Sequence, residues 1–212
     1  MARLPVSGTR LYLLISFGRV IKPNGAIVLF GSQPFTSGLV MSNLKMFKYD
    51  LAWKKPKGTG HLNAKKQPMR DKEDVLVFYG AQPTYNPQFG KGTAYKEKSG
   101  KKQYAGYGAD NRKGNSSDGR RYPKQVLEFG VVERGTTHPT QKPVPLLEYL
   151  IKTYTNEGET VLDNCMGSGS TIIAARNLNR QAIGIEKDTE YFKIARERIG
   201  VYRRVKREAA TH

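Results

Sequence analysis

The stretch from Thr160 to Asp188, TVLDNCMGSGSTIIAARNLNRQAIGIEKD, constrains this chain more than any other. Val161-Leu162-Asp163 reads as a short buried strand, Gly167-Ser168-Gly169 as a turn, Ile172 to Leu178 as the opening of a helix, and Ala182 to Glu186 as a second strand closing on an acid. Strand, turn, helix and strand in that order form the half-unit of a nucleotide-binding α/β fold. Glycines in the turn let the backbone approach a ligand at the helix N-terminus, and an acid about 20 residues further on can accept hydrogen bonds from a ribose hydroxyl pair. Glu186 stands where that acid is needed. No Gly-Lys-Ser/Thr follows the glycines, which argues against a triphosphate-binding P-loop. Asp163 puts a second carboxylate beside the turn, and that suits a positively charged ligand better than a pyrophosphate.

The remaining chain supplies a second α/β unit. Leu11, Leu14, Ile15, Val20 and Ile21 recur at helical spacing, Lys22-Pro23-Asn24-Gly25 is a turn, and Ala26 to Phe30 reads as a buried strand. Pro34 to Met46 reads as a helix, Tyr49 to Lys54 as a strand carrying Trp53, and Val75 to Tyr79 as a buried strand behind the charged run Asp71-Lys72-Glu73-Asp74. Val144 to Tyr154 is expected to be a helix with Pro145 in its first turn, and Tyr191 to Ile199 an amphipathic one, followed by a frayed basic tail from Tyr202 to Arg207. A chain of 212 residues buries one good core with room for an appended lobe.

Charge narrows the partners. The 36 Lys and Arg against 18 Asp and Glu leave a net charge of +18, and the cations are interleaved with aromatic and glycine residues over 53–124, which points to a polyanion. From Gly80 to Arg134 no period is sustained, yet Tyr85, Phe89, Tyr95, Tyr104, Tyr107 and Tyr122 offer stacking faces among the lysines and arginines. An inserted DNA-recognition segment that orders largely on binding fits this composition. The single cysteine, Cys165, cannot form an intrachain disulfide, and with three scattered histidines gives no metal-ligand spacing. No convincing targeting segment or membrane span is present, so the expected location is cytoplasmic and metal-free.

Three motifs in order, His138-Pro139-Thr140-Gln141-Lys142-Pro143, then Leu162 to Thr171 through the glycine turn, then Ile183-Gly184-Ile185-Glu186, resemble the amino-group DNA methyltransferases, in the subgroup whose S-adenosylmethionine half lies at the C-terminus. The resemblance covers roughly residues 19–199. It implies a Rossmann-like methyltransferase sheet and S-adenosylmethionine as cofactor. His138, Thr140, Gln141, Lys142, Asp163, Cys165, Gly167, Gly169 and Glu186 would line the cofactor pocket. It further implies that 1–80 form the target-base side of the core, 81–135 the inserted recognition segment, 136–200 the cofactor part and 201–212 a basic tail. The implied reaction is methyl transfer to an exocyclic amine of duplex DNA, adenine N6 ahead of cytosine N4.

One departure bears on all of this. The family carries an Asp/Asn/Ser-Pro-Pro-aromatic tetrapeptide, whose oxygens accept the hydrogens of the target amine while its ring stacks on the flipped base. No Pro-Pro occurs in this sequence, so no catalytic residue is assigned. Asn86-Pro87-Gln88-Phe89 is the nearest look-alike, but it follows the last core strand instead of preceding the Ala26 to Phe30 unit, which favours a DNA-contacting or packing role. The expectation is a chain that begins too late, with a gap beside the Ala26 to Phe30 strand, and a fold that is destabilised or completed by a homo-oligomer or another chain. Two other readings stay open: a catalytically inactive DNA-binding remnant, and an RNA methyltransferase whose aromatics stack unpaired bases.

Overall fold

Four consecutive apolar residues, Val75, Leu76, Val77 and Phe78, are at most 1% exposed, and the strand they form organises the core. An unbroken apolar run of this kind belongs to a strand paired on both edges and covered on both faces. The protein is described by a computed structural model over residues 19–96, 102–104, 108–110, 116–132 and 141–209. In chain order the elements are β1 (Ile27–Gly31), α1 (Phe35–Ser42), β2 (Phe47–Thr59), a 3-10 turn at His61–Asn63, and β3 (Arg70–Phe78). Six short strands follow: β4 (Gly90–Lys91), β5 (Tyr95–Lys96), β6 (Lys102–Tyr104), β7 (Gly108–Asp110), β8 (Ser116–Ser117) and β9 (Arg120–Arg121). The chain closes with β10 (Val126–Glu128), α2 (Val144–Tyr154), β11 (Thr160–Asp163), α3 (Ser170–Asn177), β12 (Gln181–Gly184) and α4 (Thr189–Ala209).

The main sheet has the order β1-β3-β2-β10, with β3 antiparallel to both neighbours and β10 parallel to β2. Alternation along β3 serves two layers. Val75 and Val77 pack with Trp53, Leu127 and the α2 residues Leu146, Leu150 and Tyr154, whereas Leu76 and Phe78 pack with Ile27 and with Leu39 of α1. The Trp53 indole N–H donates to Phe129 O at 3.0 Å, so the one polar atom of that buried ring is satisfied.

β11 and β12 form a separate parallel pair, in register from Thr160 opposite Gln181 to Asp163 opposite Gly184. Helix α2 bridges the two ladders: Leu147 and Ile151 pack with Ala174 and Ala175 of α3, with Val161 and Ala182 of the small pair, and with Phe30 of β1. Among the described residues no ladder joins β1 to β11. The register partners Leu162 and Ile183, 41% and 52% exposed, leave one face of the small pair uncovered by the described residues.

Residues 87–124 form a second compact unit. β4 pairs with β9, β5 with β8 and β6 with β7, each antiparallel, so the three ladders nest into one interrupted hairpin. The sequence reading finds no sustained period over this segment. Each ladder is only two or three residues long, too short for its alternation to register as a period.

Several boundaries differ from the sequence reading for physical reasons. β2 runs past Lys54 to Thr59 because Thr59 still pairs with Arg70 across a register shift. Asp71 to Asp74 lie inside β3, not ahead of it. Helix α1 stops at Ser42, where the Asn43 side-chain oxygen accepts the Met46 N–H at 3.1 Å and turns the chain. The expected basic tail at Tyr202 to Arg207 has helical backbone, since α4 continues to Ala209 through good helix formers. Of the helix expected over Leu11 to Ile21, Arg19 and Val20 are helical and 11–18 lie outside the described residues.

Candidate cofactor site

β11 ends on Asp163, and the next six residues fold into a turn that the local hydrogen bonds over-determine. Cys165 N–H donates to Asp163 Oδ1 at 3.1 Å, Met166 N–H to Ile185 O at 3.0 Å, and Gly169 N–H to Met166 O at 2.8 Å. Ile185 N–H returns to Asp163 O at 2.8 Å, which stitches the turn to the exit of β12. Gly167 and Gly169 have φ of 51° and 81°, the left-handed region that glycine enters at little cost. Gly169 is the N-cap of α3, and a side chain there would also press on α4, with Ile199 Cδ1 at 3.1 Å and Ala195 Cβ at 3.3 Å from an added Cβ.

Glu186 closes the turn from the other side. Its Oε2 accepts the Gly167 N–H at 2.8 Å and its Oε1 the Asp188 N–H at 2.9 Å. The carboxylate is thus oriented by backbone donors that lie 19 residues before it and two after. Between the two acids sits Cys165. The pKa of its thiol is raised by desolvation and by the charges of Asp163 and Glu186. Because the residue is exposed, which limits desolvation, the carboxylates are the firmer cause. The thiol is therefore held protonated and poorly nucleophilic at neutral pH.

Gln141 joins the turn through Ser168, whose hydroxyl donates to Gln141 Oε1 at 3.1 Å. Lys142, the next residue, reaches the other half of the core. Its ammonium lies 2.6 Å from Glu73 Oε1 and 5.0 Å above the Phe30 ring, and Lys55 holds the second Glu73 oxygen at 2.9 Å. The structure thus gathers Asp163, Cys165, Gly167, Gly169, Glu186 and Gln141 around one turn and stations Lys142 on β3. His138 and Thr140 lie outside the described residues.

Asn86 of the look-alike tetrapeptide belongs to none of this. Its side-chain amide donates towards Lys152 O and Thr155 O at 3.1 Å each and Asn156 Oδ1 at 3.2 Å, and its backbone N–H donates to Thr153 O at 2.8 Å. Lys152 O and Thr153 O are carbonyls that the C-terminus of α2 leaves without intrahelical partners, and Thr155 and Asn156 follow it directly, so the residue fastens a helix end.

Two groups at the site escape a sequence reading of motifs alone. Ser168 and Ser170, 3% and 6% exposed, flank Gly169, and Arg198 of α4 donates to Ser168 O at 2.5 Å and Ser168 Oγ at 2.7 Å. One signal was available: Arg198 follows the fully buried Ala195 by three residues and adjoins Ile199. A cation on a buried helical stripe implies a polar partner.

Residues 13–197 match the DNA methylase family of the N6/N4 type. Type II methyltransferase M.HpaI of Haemophilus parainfluenzae is 31% identical over 189 residues, 85% of this chain and 55% of that protein. Type II methyltransferase M.BglII of Bacillus subtilis is 29% identical over 195 residues, 84% of this chain and 52% of that protein. The chain therefore spans about half the length of these curated relatives. The solved complex of M1.HpyAVI with SAM superposes with a TM-score of 0.64 at 28% identity, covering 89% of this chain and 81% of that one. PvuII DNA methyltransferase (cytosine-N4-specific) has the same TM-score of 0.64 at 17% identity, covering 92% and 73%, a likeness of fold. With the glycine turn, its two flanking acids and the ordered motifs in place, this chain belongs to the DNA methylase family.

Proposed function

We propose that the chain binds S-adenosylmethionine at the Gly167 to Gly169 turn and serves methyl transfer to an exocyclic amine of duplex DNA, adenine N6 ahead of cytosine N4. The observation that carries this reading is Glu186, fixed by Gly167 N–H and Asp188 N–H so that each oxygen keeps a second lone pair for a hydroxyl. The residues present fit the cofactor. The carboxylates that flank the turn give it a negative potential that favours a sulfonium cation, and the neutral Cys165 thiol between them offers no thiolate to compete for the methyl. When bound, S-adenosylmethionine supplies an electrophilic methyl group. Glu186 holds the ribose end, Asp163 sets negative potential beside the turn, and Gln141 closes over Ser168.

The 81–135 segment is read as the target-recognition part, its hairpin presenting rings and cations together. Phe89 and Tyr122 pack at a 56° tilt with centroids 4.9 Å apart, the Arg120 guanidinium lies 5.2 Å over Phe89, and Tyr122 is 75% exposed. Such a surface offers a stacking face and a phosphate contact side by side.

A second reading is favoured by two observations: the absence of a described ladder between β1 and β11, and the engagement of Asn86 at α2. In it, the chain alone binds DNA without transferring methyl groups, and transfer requires a strand supplied by another copy or another polypeptide. Incubation with tritiated S-adenosylmethionine and duplex DNA, followed by nucleoside analysis, decides. Label in N6-methyladenine supports the first reading, and label in N4-methylcytosine moves the acceptor. Background label with salt-dependent DNA binding supports the second.

A further inference from the structure

The peptide between Ser168 and Gly169 is held at both ends. Its N–H donates to Met166 O at 2.8 Å, and its carbonyl oxygen accepts from Arg198 Nη1 at 2.5 Å. The same guanidinium nitrogen lies 2.7 Å from Ser168 Oγ and 3.4 Å from Ser170 Oγ. An arginine has only donors, so Ser168 Oγ accepts from Arg198, and its own proton is directed to Gln141 Oε1. The order of donation is thereby set, and the amide nitrogen of Gln141 is turned away from Ser168. Ala195 and Ile199, one helical turn apart on α4 and flanking Arg198, pack under Gly169.

We infer that Arg198 is the positioning residue of the cofactor turn: it fixes the 168–169 peptide and, through Ser168, the face that Gln141 presents, before any ligand arrives. The inference rests on the reading of this turn as the S-adenosylmethionine site. Its physical basis is glycine freedom. Gly167 and Gly169 enter many backbone conformations, and a turn built on them samples alternatives unless another element pins it. Met166 N–H to Ile185 O and Gly167 N–H to Glu186 Oε2 tie the first half of the turn to the exit of β12, and Met166 O restrains the 168–169 peptide only from within the turn, so neither fixes that peptide to the fold. Arg198 does, because α4 is packed on α3 and β12 through Ala195 and Ile199. A charge-assisted bond to a nearly buried hydroxyl and carbonyl is strong enough to hold one conformation. Nothing in the chemistry of the reaction needs a cation here, which separates positioning from catalysis.

The test uses the full chain, S-adenosylhomocysteine as the calorimetric probe, and amide hydrogen exchange of residues 165–171 in ligand-free protein. Arg198→Ala should weaken binding by roughly tenfold or more, the loss of a hydrogen bond from a charged group, and should speed exchange across the turn. Ser168→Ala keeps the carbonyl bond and loses the link to Gln141, so it should weaken binding by a smaller factor with little change in exchange. Arg198→Lys, which can still reach one acceptor, should recover part of both losses and serves if the alanine variant fails to fold. Unchanged affinity and unchanged exchange in folded Arg198→Ala or Arg198→Lys, whatever their melting temperatures, would overturn the inference. If wild type itself binds no S-adenosylhomocysteine, the cofactor reading fails, and the exchange data still decide whether Arg198 orders the turn.

Discussion

Glu186 Oε2 accepts the Gly167 N–H at 2.8 Å, so the acid that ends one βα unit is locked to the turn that begins it. The bond orients the carboxylate before a ligand arrives, and it makes the glycine turn and the acid one structural object. Around it the Asp163 to Ile185 and Met166 to Ile185 bonds fix the spacing of the two strand ends.

Gly184 lets this arrangement pack. A Cβ added there would collide with Met166 Sδ and would lie 2.9 Å from Ile172 Cδ1, both of which form the small core under the turn. Gly184→Ala should destabilise the protein by about 1–3 kcal/mol, the usual cost of overpacking, as read from denaturant midpoints. A neutral or stabilising result would contradict the packing described.

Asn86 offers a clean separation of structure from chemistry. Asn86→Ala strips the amide donors from Lys152 O, Thr155 O and Asn156 Oδ1 and should cost about 1–3 kcal/mol of stability. Affinity for S-adenosylhomocysteine, measured below the melting transition, should not change.

The Tyr49 and Tyr154 hydroxyls meet at 3.0 Å, and the Tyr154 pKa lies well above the ordinary tyrosine value of 10.0, first because of burial and then because of the Tyr49 contact. The Tyr49 and Tyr149 pKa values are also raised, mainly by burial. The native state therefore retains protons that the unfolded chain releases above pH 10, and stability must fall as pH rises beyond that point. Urea titrations from pH 8 to 11 should show the decline, and Tyr154→Phe should flatten it. Equal slopes for both proteins would show that Tyr154 does not carry the effect.

In the hairpin unit, Tyr122→Ala should weaken duplex or single-stranded DNA binding by roughly tenfold, the scale of one base-stacking contact, with no change in the melting temperature. Filter binding at fixed salt checks it; an unaltered affinity would remove Tyr122 from the interface.

How much of this was legible in the sequence follows from how local each cause is. The β11, turn, α3 and β12 unit could be read because glycines and acids at fixed spacing act within 30 residues, and Val144 to Tyr154 because its apolar stripe is intact. Glu73 and Asp74 were misplaced outside the strand, since their charges are answered by Lys142, Lys55 and Thr36, partners remote in sequence. The nested hairpin hid behind two-residue ladders, and β10 behind a three-residue one. At the site, the turn and Glu186 are visible as a motif, whereas Arg198 is marked only by its place beside Ile199 on α4, and its partner Ser168 emerges when α4 is laid under Gly169.

The most direct test of the cofactor claim is calorimetric titration of the folded full chain with S-adenosylhomocysteine, comparing wild type with Glu186→Ala. Binding should be saturable at one site per chain in the wild type and roughly ten- to a hundredfold weaker in the variant, the effect of removing a charged hydrogen-bonding partner. Absence of binding in the wild type, or equal affinity in the two proteins, would contradict the claim.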